Sequence, residues 1–209
     1  MNIVLYGATG HAGSRILDEL LRRGHKVTAI TRNPAKITSQ KNLTVKEGNT
    51  DSVAEIAKHI NGADAVVSAY GPPQDDTDQL VTVTQNFIDA VREANVPRFI
   101  YVGGAASLEV TPGVTLYESG HLPVEWRAIA KSHSDALSLT KKSDINWTCL
   151  SPAAFFEPGK RTGKFRLGKD QLISDAQGNS RISMEDYAIA LADELERPQH
   201  ERQRFTVGY

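Results

Sequence analysis

The sequence predicts an α/β fold, a doubly wound parallel sheet with helices on both faces. Three observations carry this. Short apolar runs alternate with longer segments whose apolar residues recur at helical spacing. The first run, Ile3-Val4-Leu5-Tyr6, passes straight into the glycine turn Gly7-Ala8-Thr9-Gly10-His11-Ala12-Gly13. That turn in turn opens an amphipathic segment.

Taken in order, Ile3–Tyr6 reads as the first strand. Ser14 to Arg23 then places Ile16, Leu17, Leu20 and Leu21 on one helical face, and Gly24 stops it. Val27–Ile30 and Leu43–Val45 are the second and third strands. Ser52 to His59 forms a short helix before a fourth strand at Asp64 to Ser68. Thr77 to Ala94 is a long helix with the stripe Leu80, Val83, Phe87, Ile88, Val91 and Ala94. Phe99–Val102 is the fifth strand, Leu122 to Lys142 a helix, and Ile145 to Leu150 the sixth strand. Beyond Pro152 the glycine-rich and basic stretch Glu157 to Lys169 favours loop or hairpin. Met184 to Glu196 returns to helix with Pro198 past its end, and Arg204–Val207 is a last strand. No repeat or low-complexity linker interrupts the chain. Residues 1–209 are therefore expected to form one domain, with about 150–209 as a small C-terminal extension on the substrate side.

Composition excludes several function classes. Basic and acidic residues nearly cancel, 24 against 25, so no basic excess points to nucleic acid or an anionic membrane surface. Cys149 is the only cysteine, which rules out an intrachain disulfide and a cysteine-based zinc site. No helix carries paired metal ligands, so no metal is expected. The opening residues lack a signal peptide's charged start and apolar core, and no apolar run approaches the roughly 20 residues of a membrane helix. A cytoplasmic location is the expectation.

Gly7, Gly10 and Gly13 follow a strand and open a helix, the context that a dinucleotide fingerprint requires. Glycine permits the tight turn and lets backbone N–H groups reach a pyrophosphate, while the helix N-terminus adds unpaired amides and partial positive charge. Thr9, His11 and Ala12 contribute backbone to the same turn. The spacing is G-x-x-G-x-x-G rather than G-x-G-x-x-G. This is the pattern of a Rossmann sheet. In such folds an acid at the end of the second strand, roughly 20 residues beyond the turn, selects NAD(H) by accepting from the ribose hydroxyls. Here Thr31 and Arg32 stand there instead. A guanidinium pairs with a 2′-phosphate and stacks on adenine, so NADP(H) is favoured over NAD(H).

Further loops follow the carboxyl ends of strands, where open α/β sheets bind ligands. Asn49, Thr50 and Asp51 follow the third strand and are candidates for the adenine side; Asp51 equally suits capping of the next helix. Ser68, Ala69, Tyr70 and Gly71 follow the fourth strand, Gly103 and Gly104 the fifth, and Ser151, Pro152 and Ala153 the sixth.

The Gly7–Gly13 turn, Thr31-Arg32-Asn33-Pro34, the run Val96 to Gly104, Ser151-Pro152-Ala153, Pro158 to Gly163 and Ser180 to Ala188 together resemble the atypical short-chain dehydrogenase/reductases. Within these, they are most similar to the bacterial NADH-flavin reductase group, related to biliverdin IXβ/flavin reductases and NmrA-like proteins. The resemblance spans nearly the whole chain. It implies the Rossmann fold, a nicotinamide dinucleotide as cofactor, and backbone around Ser151–Ala153 close to the nicotinamide. It implies the activity only loosely.

One departure from ordinary short-chain dehydrogenases is informative. Those enzymes use Tyr-x-x-x-Lys, in which the lysine lowers the phenol pKa for proton exchange with an alcohol or carbonyl oxygen. No tyrosine here has a lysine four positions on. Lys131 can occupy the lysine position, but Arg127, four before it, is no phenolic acid. What survives is hydride transfer to a delocalised acceptor such as a flavin or quinone, whose ring spreads the incoming charge while solvent supplies the proton.

The catalytic candidates are weak: Ser107 as a hydroxyl donor, His133 and Lys131. His133 lies on the stripe Trp126, Ile129, Ala130, His133, Leu137, where a histidine bonded to a carbonyl is the plainer reading. Phe155 and Phe156 are either core or an apolar wall for a flat acceptor. Lys160, Arg161, Lys164, Arg166 and Lys169 form a basic loop that is either solvated or attracts the phosphate of a flavin mononucleotide. Three functions follow: an NADPH-dependent reductase of a small planar acceptor, with flavin as a possible substrate; a non-catalytic NADP(H)-binding redox sensor of NmrA type; and, ranked lower, an isomerase or epimerase. Acceptor, partner and oligomeric state are left open.

Overall fold

The computed structural model describes residues 1–209. β1 (Asn2–Tyr6), α1 (His11–Arg22) and β2 (Lys26–Thr31) form the first crossover unit. Ile3 to Tyr6 are all buried, so β1 is covered on both faces and has no polar side to alternate. α1 stops where Gly24 takes φ +82°, a conformation that costs glycine nothing. Then come β3 (Leu43–Glu47), α2 (Val53–Ile60), β4 (Ala65–Ser68), α3 (Gln79–Glu93) and β5 (Phe99–Val102). A small hairpin, β6 (Glu109–Thr111) and β7 (Val114–Thr115), precedes α4 (Arg127–Lys141) and β8 (Trp147–Ser151). The chain ends with β9 (Phe155–Glu157), β10 (Arg166–Gly168), β11 (Arg181–Ser183), α5 (Met184–Glu196) and β12 (Gln203–Gly208).

Eight strands make one sheet in the order β10-β12-β8-β5-β4-β1-β2-β3. Neighbours run parallel throughout, except that β10 lies antiparallel to β12 at the edge. From β1, winding proceeds outward through β2 and β3 on one side. It then crosses back to β4, β5, β8 and β12 on the other. This is the Rossmann arrangement, and the β1–β4 boundary is its switch point. β11 pairs with β9 in a separate parallel ribbon beside the sheet.

α1 and α5 pack together on one face, over Leu5, Leu20, Leu150, Tyr187 and Leu191. α2, α3 and α4 cover the other, where Phe87 meets Tyr6 edge-on at 4.9 Å and Phe99 stacked at 5.5 Å. Each such buried Leu or Phe contributes about 1.5–3 kcal/mol. The two layers fix the sheet, and the sheet fixes where its carboxyl-end loops meet.

The strands and helices expected from periodicity are present, with ends moved by a few residues. The helix expected from Leu122 starts later. Pro123 keeps Leu122 out of the helical region, a 3₁₀ turn spans Val124–Trp126, and α4 begins at Arg127. Asp51 does not cap α2. Ser52 does, its hydroxyl accepting from Glu55 N at 3.2 Å, while the Asp51 amide turns to Asn49 Oδ1. No helix is long and apolar enough to cross a membrane.

Candidate functional site

A cleft of about 1450 Å³ runs along the carboxyl ends of the parallel strands. Single small-ligand pockets usually hold about 300–1,000 Å³, so this one has room for a long molecule and a second, smaller one. The whole turn lines it apart from Ala8: Gly7, Thr9, Gly10, His11, Ala12 and Gly13. A Cβ on Gly13 would stand 2.0 Å from the Gly7 carbonyl oxygen, and one on Gly7, at φ +82°, would stand 2.2 Å from Ala69 O. Those two glycines are thus required by packing alone. Gly10 is different, since its added Cβ would meet only Gly7 O, at 3.3 Å.

The start of α1 is left unsatisfied. Gly10 sits extended at its N-cap with no side chain to cap it, and the first turn holds no acid. The N–H groups of His11, Ala12 and Gly13 have no acceptor within the chain. Three amides and the positive end of a helix dipole open together into the cleft, a cradle that fits an anionic pyrophosphate.

Thr31 and Arg32, at the end of β2, line one end of the cleft with Asn49, Thr50 and Asp51. Ala69, Tyr70 and Gly71 follow β4 in its middle, and Tyr70 OH donates to Gln79 Oε1 at 3.2 Å. Gly103 and Gly104 after β5, and Pro152 after β8, carry the lining onward. A Cβ on Gly104 would press to 2.8 Å from His133 Cβ, so glycine here lets α4 approach β5 and brings His133 to the cleft.

Several expected residues stand elsewhere. Ser68 and Ser151, the last residues of β4 and β8, are buried behind the lining, and so is Ala153, two residues past the end of β8. Ser68 Oγ instead accepts from the Tyr70 amide. Ser107 is turned away and accepts from Arg204 at 3.2 Å, beside the Arg204–Asp170 ion pair. Lys131 projects to solvent and pairs with Asp135 one turn on. No lysine lines the cleft at all.

His133 does line it, but not as expected from sequence. No carbonyl partners its ring; it faces the cleft with no intrachain hydrogen bond, and burial pushes its pKa down to about 4. The imidazole is therefore neutral at pH 7. Cys149 is no nucleophile, since it is fully buried and burial pushes its thiol up to about 11.

Phe155 and Phe156 divide between the two readings. Phe155 is 57% exposed on the cleft wall, while Phe156 leans on Tyr187 at 4.6 Å. The basic loop does not reach the cleft. Arg161 grips buried Glu19 through two hydrogen bonds, Arg166 bonds the carbonyls of Ser174 and Tyr209, and none of the five basic side chains is in the lining. Sequence reasoning missed the wall formed by the β6–β7 hairpin and the segments on either side of it: Val110, Leu116 and Leu122, with Trp126 at the rim. Strands of two or three residues carry no readable period. Trp126 was expected on the buried stripe of a helix that in fact begins one residue after it.

The NAD(P)H-binding family matches residues 7–198. The chain belongs to that family. It is 46% identical to a provisionally named epimerase from Bacteroides thetaiotaomicron, with a TM-score of 0.93 over 100% of this chain and 96% of the other. It is 45% identical to a provisionally named exported protein from Burkholderia pseudomallei, with a TM-score of 0.92 and full coverage of both chains. It is 31% identical to a provisionally named NADH-flavin reductase from Streptococcus pneumoniae, with a TM-score of 0.90 over 100% and 99%. Three close structures carry three different functional names. The fold is the Rossmann fold and the family is NAD(P)H-binding; the reaction and substrate have to be argued from the site.

Proposed function

We propose that this protein is an NADPH-preferring reductase that passes hydride to a planar acceptor, flavin first and quinone second, without a Tyr–Lys pair. The observation that carries the reading is the uncapped start of α1, where three unpartnered amides face a cleft long enough for a dinucleotide. When bound, the reduced dinucleotide supplies a hydride; with one solvent proton the acceptor gains two electrons and two protons. The chain's own part is binding and placement. The α1 amides hold pyrophosphate, Arg32 pairs with a 2′-phosphate, and Gly103, Gly104 and Pro152 bring backbone close to the reacting rings. Neutral His133 offers a hydrogen bond there without adding charge. The cleft holds no lysine to activate a phenol, which disfavours carbonyl reduction and the epimerase chemistry that also uses that pair.

The test is NADPH oxidation by the purified protein with riboflavin, FMN and quinones. Turnover above background is expected; its absence with every acceptor overturns the reductase reading, and tight dinucleotide binding without turnover then points to a redox sensor. For cofactor choice, Arg32→Ala should weaken NADPH binding at least tenfold and NADH binding little. Equal losses would remove the preference for NADPH. A reductase drawing on NADPH belongs in the cytoplasm, and fractionation of cells expressing the chain tests that against the exported name of its Burkholderia relative.

A further inference from the structure

The two ends of the cleft differ in charge, and the difference bears on the acceptor. Arg32 is the only lysine or arginine in the entire lining. It follows β2, and in the sheet order β8-β5-β4-β1-β2 it lies four strands from the end of β8. At about 4.8 Å per strand this is roughly 19 Å, too far to serve a molecule held beside Phe155. At the β8 end the lining is mostly apolar, with Val110, Leu116, Leu122, Trp126, Phe155 and Met184, and polar members such as His121 and Ser180 bring no guanidinium or ammonium. Its one formally charged side chain is Glu157. Trp126 and Phe155 are 56% and 57% exposed there, large flat surfaces with no protein partner to cover them. Lys160, three residues beyond Glu157, is outside the lining, and the two arginines near in sequence are engaged elsewhere. Arg127 lies over the Tyr117 ring, 5.6 Å from its centre, and Arg161 is held by Glu19.

We infer that this end of the cleft selects a neutral planar acceptor, stacked on Trp126 and Phe155, and that Glu157 discriminates against acceptors carrying phosphate or sulfonate. The inference rests on the reductase reading and narrows its substrate class. Exposed aromatic faces reward a flat ring by burial and stacking. A dianionic phosphate in the same place finds no guanidinium or ammonium to pair with and meets a carboxylate of like charge. Riboflavin and unsubstituted quinones satisfy the site; FMN and sulfonated quinones do not. Neutral acceptor, reduced dinucleotide and one proton give the dihydro acceptor and oxidised dinucleotide, so no further reactant is required.

The experiment is a fluorescence titration of protein saturated with NADP+, using riboflavin and FMN as a pair that differs only in the phosphate. It reads binding directly, so it stands whether or not turnover is detected. Riboflavin should bind at least fivefold more tightly than FMN. Trp126→Ala and Phe155→Ala should each weaken riboflavin several-fold, and both positions are exposed enough for the variants to fold. Glu157→Lys should bring FMN to parity with riboflavin or better. Equal binding of the two flavins by the parent protein, no binding of riboflavin, or a ratio unmoved by Glu157→Lys would overturn the inference. If riboflavin is preferred but never reduced, the site assignment stands and the reductase reading falls.

Discussion

Two helices lie side by side on one face of the sheet, and their N-termini are finished in opposite ways. At the start of α5, Ser183 accepts from the Asp186 amide at 3.0 Å, and Glu185 and Asp186 place acid in the first turn. The Asp186 carboxylate is fully buried and takes hydrogen bonds from the Thr162 amide and hydroxyl, the Gly163 amide and the Tyr209 hydroxyl. There the positive end of the helix is neutralised by the chain itself, and it fastens the loop around residue 162 to the C-terminus. α1 has no cap, no acid in its first turn and three idle amides opening into a cleft. The same dipole is used internally in one helix and left for an external anion in the other.

The largest expected effect breaks the geometry of α1. Gly13→Ala places a Cβ 2.0 Å from a backbone oxygen that no rotamer can move. It should destabilise the protein by about 3 kcal/mol, measured by urea denaturation, and abolish dinucleotide binding with it. Next is the knot at α5. Burial pushes the Asp186 carboxyl up, but hydrogen bonds from Thr162, Gly163 and Tyr209 outweigh this and hold its pKa below the ordinary value. Asp186→Asn should cost about 2 kcal/mol near pH 7. The lowered pKa gives stability that is fully present above the unfolded carboxyl's value near 3.9 and is lost as pH falls through the folded value. The gap between parent and variant should therefore close below about pH 4. Ser183→Ala, which removes the cap and the hydroxyl's bond to Lys160 O, should cost about 1.5 kcal/mol and leave dinucleotide binding unchanged.

The phosphate-turn end of the cleft was legible in the sequence, and its apolar end largely was not. β1, the turn and α1 announce themselves because a buried run, a glycine spacing and a helical stripe occur in register. Arg32 is legible because the end of β2 is a fixed place in the fold. The apolar wall of the cleft comes from segments too short or too irregular to carry a period, such as β6, β7 and the 3₁₀ turn ending at Trp126. Charge left a choice open for a related reason. The basic loop reads as solvated or as a phosphate site until Arg161 is seen to pair with Glu19, a residue whose burial on α1 only the tertiary structure reveals. Lys131 and Ser107 fail in the same way, because residue type does not tell which way a side chain points.

The central claim, that the open start of α1 holds the dinucleotide, is tested most directly by giving α1 the ending that α5 already has. Gly10 is extended at φ −81°, ψ 171°, a conformation an N-cap aspartate adopts readily, and its nearest obstacle is 3.3 Å away. Calorimetric titration of Gly10→Asp with NADPH should show binding weakened at least a hundredfold, in a protein that still unfolds cooperatively in urea. An aspartate variant that folds normally and binds NADPH as tightly as the parent would contradict the account.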